Sequence, residues 1–172
     1  LDVQWVPIDE PTRRHAPGTQ NELGVFSQGA AQGAAMFARL EGCWYGDGSI
    51  FLTAPDGGHA HCGQVWRYVP REERLPLLFE SPGINVLDNP DNVAVKPGGQ
   101  LFLCEDGTRP GQRILTLSAS GTLAHFAEKN DLAGDFRGGE WAGVCFSADG
   151  NWLFANIQDP GITFAITGPW AA

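Results

Sequence analysis

The 172-residue sequence predicts an all-β fold of about three repeated antiparallel units. Three observations carry that prediction: a turn signature recurring every 51 residues, apolar runs of strand length on both sides of it, and a composition rich in turn formers. Charged residues make up 18% of the chain, below the roughly 25% of an average globular domain. The 23 glycines and 12 prolines favour many tight turns over long helices.

The repeat is found by aligning Asp47-Gly48, Gly98-Gly99 and Asp149-Gly150, each 51 residues from the next. An apolar strand follows each turn: Ile50-Phe51-Leu52, Leu101-Phe102-Leu103 and Trp152-Leu153-Phe154. Another precedes it, at 40–45, Val93-Ala94-Val95 and Val144-Cys145-Phe146. Two such runs around a two-residue D-G or G-G loop read as a hairpin. A third strand is predicted in every unit, at 64–69, 112–117 and 162–166, and a fourth in the first two, at 76–80 and 122–127. Four antiparallel strands in 40 to 50 residues match a β-propeller blade. The predicted fold is therefore a partial β-propeller of about three four-stranded antiparallel blades, roughly 36–86, 87–138 and 139–172, with the last incomplete. Closed propellers need at least about four blades, so the chain is expected to be the C-terminal segment of a larger propeller domain. Residues 1–35 read as a lead-in that bridges blades. Pro7, Pro11, Pro17 and Gly18 suit an extended segment, and 28–37 suit one short helix weakened by its glycines.

The acidic excess, 20 against 11 basic residues for a net charge of −9, comes with no Lys/Arg-rich run. Nucleic acid and anionic membrane surfaces are unsuited partners for such a chain. If the ligand is an anion, bound cations must override the carboxylates near it. Cys43, Cys62, Cys104 and Cys145 form no C-x-x-C pair, which removes a zinc ribbon or thioredoxin-type site. No apolar run approaches the roughly 18 residues of a membrane span. Phosphate-loop and G-x-S-x-G patterns are also absent from the sequence.

Loops at one end of a propeller channel converge, so polar residues before the first strand and after the second strand of each unit are the candidates. These are Arg39 and Glu41; Asp88, Asn89, Asp91 and Asn92, with Glu105 and Asp106; and Glu140, with Asn156 and Gln158. Hard cations such as calcium take about six to eight oxygen ligands of this kind, and iron or manganese accept them too. The other reading of 88–92 is turn chemistry fixed by Pro90. Arg39 and Glu41 fall on one face of an extended segment, where an arginine suits a bidentate phosphate clamp. A salt bridge between neighbouring blades is the plainer alternative. His59 and His61 sit on a glycine-flanked loop tip, which favours solvation over metal ligation. Trp44, Trp66, Trp141, Trp152 and Trp170 fall at strand positions that favour packing between units.

The strings RLEGCWYGDG at 39–48, GQVWRYVPR at 63–71, LLFESPG at 77–83, LDNPDNVAVKPGG at 87–99, LCEDG at 103–107, EWAGVCFSADG at 140–150 and NIQDPGITFAITGPW at 156–170 follow one another in order. Together they resemble the PhoX family of bacterial alkaline phosphatases, closely over 36–170. The resemblance implies a secreted or periplasmic phosphomonoesterase on a six-bladed propeller, exported folded, with a central cluster of iron and calcium ions. It implies that Arg39 contacts phosphate and that Glu41 binds metal. It further implies that Asp88, Asn89, Asp91, Glu105, Asp106 and Glu140 contribute to the cluster. The family's iron-bridging cysteine and several further ligands lie upstream of the part matched here, so the segment is expected to carry only part of the site. Its expected partners are a phosphate-ester substrate and either the upstream half of a parent protein or a second copy. Two rivals remain: a non-catalytic calcium-binding propeller that presents a protein-interaction face, and a calcium-dependent lactonase-like propeller.

Overall fold

The computed structural model describes residues 1–13, 24–128, 139–168 and 170. Pro17, Gly18 and the expected boundary at 138 lie outside the described residues. The chain divides into two compact units, Asp2–Phe37 and Ala38–Ala172, with Leu1 counted in the second.

The smaller unit carries one helix, α1 (Val25–Ala31). It begins three residues earlier than the helix expected over 28–37 and stops before Gly33, whose φ of +79° breaks the helical run. Apolar residues alone did not locate that stop, because Ala34, Ala35, Met36 and Phe37 continue the helix-compatible composition. Two glutamine side chains tie the helix to the extended lead-in. Gln28 accepts from the Glu10 N–H at 2.9 Å and donates to the Glu10 carbonyl at 3.0 Å, while Gln32 donates to the Pro7 carbonyl at 2.7 Å.

The larger unit is all-β and antiparallel. Its first sheet is a meander of β1 (Cys43–Gly46), β2 (Ser49–Ala54), β3 (Gln64–Tyr68) and β4 (Leu77–Glu80). The second repeats it with β5 (Pro90–Val95), β6 (Leu101–Glu105), β7 (Arg113–Leu117) and β8 (Leu123–Glu128). The third holds β9 (Trp141–Phe146), β10 (Trp152–Ile157) and β11 (Ile162–Thr167) among the described residues.

The aligned turns close their hairpins in two ways. Asp47 and Gly48 both have positive φ, +49° and +69°, the type I′ geometry whose twist matches that of paired strands. The second and third turns are wider. Lys96 N–H bonds to the Gln100 carbonyl at 2.9 Å, and Ser147 N–H to the Trp152 carbonyl at 2.8 Å. At the third turn Ser147 and Asn151 donate to Asp149, and these bonds hold its carboxyl down at about 2.

The two central strands of the second sheet, β6 and β7, are buried on both faces. Strand alternation divides them. Leu101, Leu103, Leu115 and Leu117 pack with Phe51 and Val65 of the first sheet. Phe102, Cys104 and Ile114 pack with Trp141, Val144, Leu153 and Ile157 of the third. Each fully buried side chain of this size contributes about 1.5–3 kcal/mol, so the two seams dominate cohesion. Phe102 meets Phe126, Phe146 and Trp170 edge-on, at 5.1, 4.9 and 6.4 Å between ring centres. The expectation that tryptophans pack between units holds for Trp44, Trp141 and Trp170, which join these clusters, whereas Trp152 is exposed. The first strands β1, β5 and β9 follow one another side by side, with β5 against both of the others. The four cysteines are free thiols.

Candidate functional site

Polar bonds join the three sheets. The Thr53 hydroxyl accepts the Gly42 N–H at 2.8 Å and donates to the Asp91 carbonyl at 2.6 Å, linking the first sheet to the second. Asn92 accepts the Val144 N–H at 3.0 Å, linking the second sheet to the third. Gly42 is needed for the close approach, because a Cβ there would overlap the Asp91 carbonyl and the Thr53 hydroxyl. Asp91 and Asn92 lie where the β5–β6 register shifts, between Pro90 and Val93. A bulge of this kind re-aims side chains, and bulges concentrate near functional sites.

Arg39 is the basic centre of the group. Its Nη2 lies 2.5 Å from Glu41 Oε1 and 3.9 Å from Asp106 Oδ2, and its Nη1 lies 3.3 Å from Asp56 Oδ1. The bond to Glu41 and the charges of Asp56 and Glu41 raise the guanidinium pKa, against a burial effect that lowers it. Asn89 donates to Asp56 Oδ1 and to the Pro55 carbonyl, both at 2.9 Å. Arg39 and Asn89 both occupy the left-handed region, with φ of +55° and +49°. That conformation is uncommon for residues with a Cβ and concentrates at ligand sites.

Asp91 completes the group from the second sheet. Burial first, then its hydrogen bond to Glu41, then the charges of Glu41, Glu140 and Asp106, push its carboxyl up to about 7. Glu41 moves the opposite way, lowered by the hydrogen bond from Asp91 and by Arg39. The opposite shifts make Asp91 the carboxyl of the pair that takes up a proton first as pH falls. Carboxylates from all three sheets act on one another here, with the Arg39 guanidinium among them.

Of the residues singled out in the sequence, Arg39, Glu41, Asn89, Asp91, Asp106 and Glu140 belong to this group. Asp88 and Glu105 make different contacts. Asp88 is buried and accepts the Arg109 N–H at 2.7 Å, with its other oxygen unpartnered among the described residues. Glu105 is buried against Arg113, 2.5 Å from Nη2 to Oε1. The matched register after the glycine turns puts Glu105 in β6, where alternate residues face opposite sides; its neighbour Asp106 approaches Arg39 instead. Asn156 bonds to the Ala142 carbonyl and accepts from Thr163, and the Gln158 N–H bonds to the Glu140 carbonyl. His59 and His61 are exposed, with the His59 N–H on Glu80.

Asp56 escaped the sequence reading. It stands just after β2, the place in the first sheet that Asp106 occupies in the second, so the rule that found Asp106 also covers it. Its setting in P-D-G-G favoured a plain turn.

The donors are hard oxygens, the kind that hard cations take, and burial, then Glu41 and the neighbouring charges, push Asp91 up to about 7. Among the described residues, however, no three His, Cys, Asp or Glu side chains converge as a metal site. The fold and the group define an antiparallel β-sheet protein with an arginine set among carboxylates. The chain belongs to the alkaline phosphatase PhoX family, whose model matches residues 1–161. No curated protein matches it.

Proposed function

We propose that the chain forms part of a metal-dependent phosphomonoesterase, with its three sheets serving as blades of a propeller that is six-bladed in the complete protein. The observation that carries this reading is the placement of Arg39 within reach of Glu41, Asp56 and Asp106. Membership of a phosphatase family supports it.

Glu41, Asp91, Asp106 and Glu140, aided by Asn89, would hold the cations, calcium and iron being the proposed pair. Bound cations supply Lewis acidity toward phosphoryl oxygens. Arg39 binds and orients the phosphate, because a planar guanidinium presents paired N–H groups to two oxygens at once. Asp91, whose carboxyl burial and Glu41 push up to about 7, would give up its proton when a cation binds. Asn89 fixes Asp56, so that the carboxylate beside Arg39 does not swing away.

The proposed substrates are phosphate esters, and the proposed location is secreted or periplasmic. No described helix is long and apolar enough to cross a membrane. The test is p-nitrophenyl phosphate hydrolysis by the complete protein with calcium and iron supplied. Arg39→Ala is expected to lower turnover by about 10²–10³, the usual loss when a group stabilising transition-state charge is removed. Full activity in that variant would overturn the assignment.

A further inference from the structure

Glu105 and Arg113 form a buried network that the proposed chemistry does not use. Glu105 is 0% exposed and Arg113 8%. Glu105 Oε1 accepts from the Asp88 N–H at 2.9 Å and from Arg113 Nη2 at 2.5 Å. Oε2 accepts the Arg113 backbone N–H and its Nε, both at 2.9 Å. Both oxygens are thus engaged twice, which leaves this carboxylate poorly suited to a metal.

The rest of the guanidinium reaches the connection between β4 and β5. Its Nη1 donates to the Asn85 carbonyl at 3.3 Å, and Nη2 to the carbonyls of Ile84 and Val86 at 3.4 and 3.3 Å. Three consecutive carbonyls and the Asp88 amide are therefore held by one ion pair rooted in β6 and β7. Immediately beyond the held amide come Asn89 and Asp91, which contact Asp56 and Glu41. Arginine has five N–H donors in a fixed plane, whereas lysine has a single ammonium head on a flexible stem. Lysine can keep the charge balance with Glu105 but cannot span Glu105 and three carbonyls together.

We propose that the Glu105–Arg113 pair is a positioning element: it fixes the backbone of residues 84–88 and thereby sets where Asn89 and Asp91 stand in the carboxylate group. The inference rests on the cation-binding reading of that group. Groups that orient metal ligands typically change metal affinity by about 10–100-fold when altered.

The experiment compares Arg113→Lys, Glu105→Gln and the wild-type chain by calcium calorimetry, residue-resolved amide exchange and thermal melting. Phe126→Leu, in the apolar seam, serves as a control for stability loss alone. Arg113→Lys is expected to melt cooperatively, to bind calcium at least about tenfold more weakly, and to exchange faster at 84–91 while β1 and β2 stay protected. Glu105→Gln, which keeps an acceptor for the Asp88 N–H, is expected to show a smaller effect in the same segment and serves if the lysine variant does not fold. Wild-type exchange at 84–91 in both variants would overturn the inference, as would a calcium affinity no lower than that of Phe126→Leu. If the wild-type chain binds no calcium, the cation reading fails, and the exchange pattern alone decides whether the pair holds the connection.

Discussion

Replacing Asp91 with Asn isolates the effect of its raised carboxyl. An isolated aspartate titrates at about 3.9, whereas Asp91 in the folded chain titrates at about 7. Between those values the folded state keeps a proton that the unfolded state has lost, so stability falls as pH rises and levels off above the folded pKa. Each tenfold difference in proton affinity corresponds to about 1.4 kcal/mol, so moving from about pH 5.5 to about pH 8.5 would remove roughly 2 kcal/mol at full strength. Asp91 is only half-buried, and solvent screening reduces this to about 1 kcal/mol. Asparagine stays neutral and can donate to Glu41 at every pH, as protonated Asp91 does. With a chelator present, Asp91→Asn should therefore match wild type within a few tenths of a kcal/mol at about pH 5.5 and exceed it by about 1 kcal/mol at about pH 8.5. Urea titrations at the two pH values measure the difference. Calcium should raise the wild-type midpoint at the higher pH more than that of the variant, because ligand binding to the folded state adds stability by mass action. Wild-type and variant curves that keep the same separation at both pH values would refute the raised Asp91 carboxyl.

Three further outcomes follow from the geometry. Arg39→Lys keeps the charge but loses the fork, so the complete protein should lose roughly tenfold or more in kcat/KM for p-nitrophenyl phosphate, at a cost in stability under about 1 kcal/mol because the ion pairs are exposed. Gly42→Ala pushes a methyl group against the Asp91 carbonyl and the Thr53 hydroxyl; urea titration should show a loss of about 1–3 kcal/mol, accompanied by weaker calcium stabilisation. Trp170→Ala removes a ring stacked on Phe126 at 5.9 Å and an indole N–H bond of 2.8 Å to the Asn151 carbonyl. It should cost about 2 kcal/mol, which thermal melting would register as a fall of roughly 4–8 °C for a chain of this size, with calcium affinity unchanged.

The strand order was legible because its signals are local. A two-residue D-G turn between apolar runs dictates a hairpin without reference to the rest of the chain, and Asp47-Gly48 forms it. The grouping around Arg39 was legible by position, since the rule of residues before the first strand and after the second named Arg39, Glu41 and Asp106, which meet. Roles within it were not. Glu105 and Asp106 are adjacent, and pleat alone sends them to opposite surroundings; which of the two meets Arg39 depends on the register of β5 against β6, where Pro90 pairs with Glu105 before the shift. Arg113 gave no signal either, because an arginine in Q-R-I-L-T-L reads as a solvent-facing strand residue. Its burial depends on Glu105 and on a connection about 28 residues away. The helix was misplaced for a related reason: a seven-residue segment is too short for periodicity to fix its ends.

The Thr53 hydroxyl bridge between Gly42 and Asp91 gives the site a mechanical character. It acts as a rivet at the mouth of a long apolar seam, so the gap between the two leading strands is governed by how deeply the leucines and Phe51 interlock farther along. A methyl group added or lost in that seam would act as a shim, tilting one sheet against its neighbour and changing the spacing of Glu41 and Asp91 without touching either. Tuning of this site can therefore arise from silent-looking changes in the oil between the sheets.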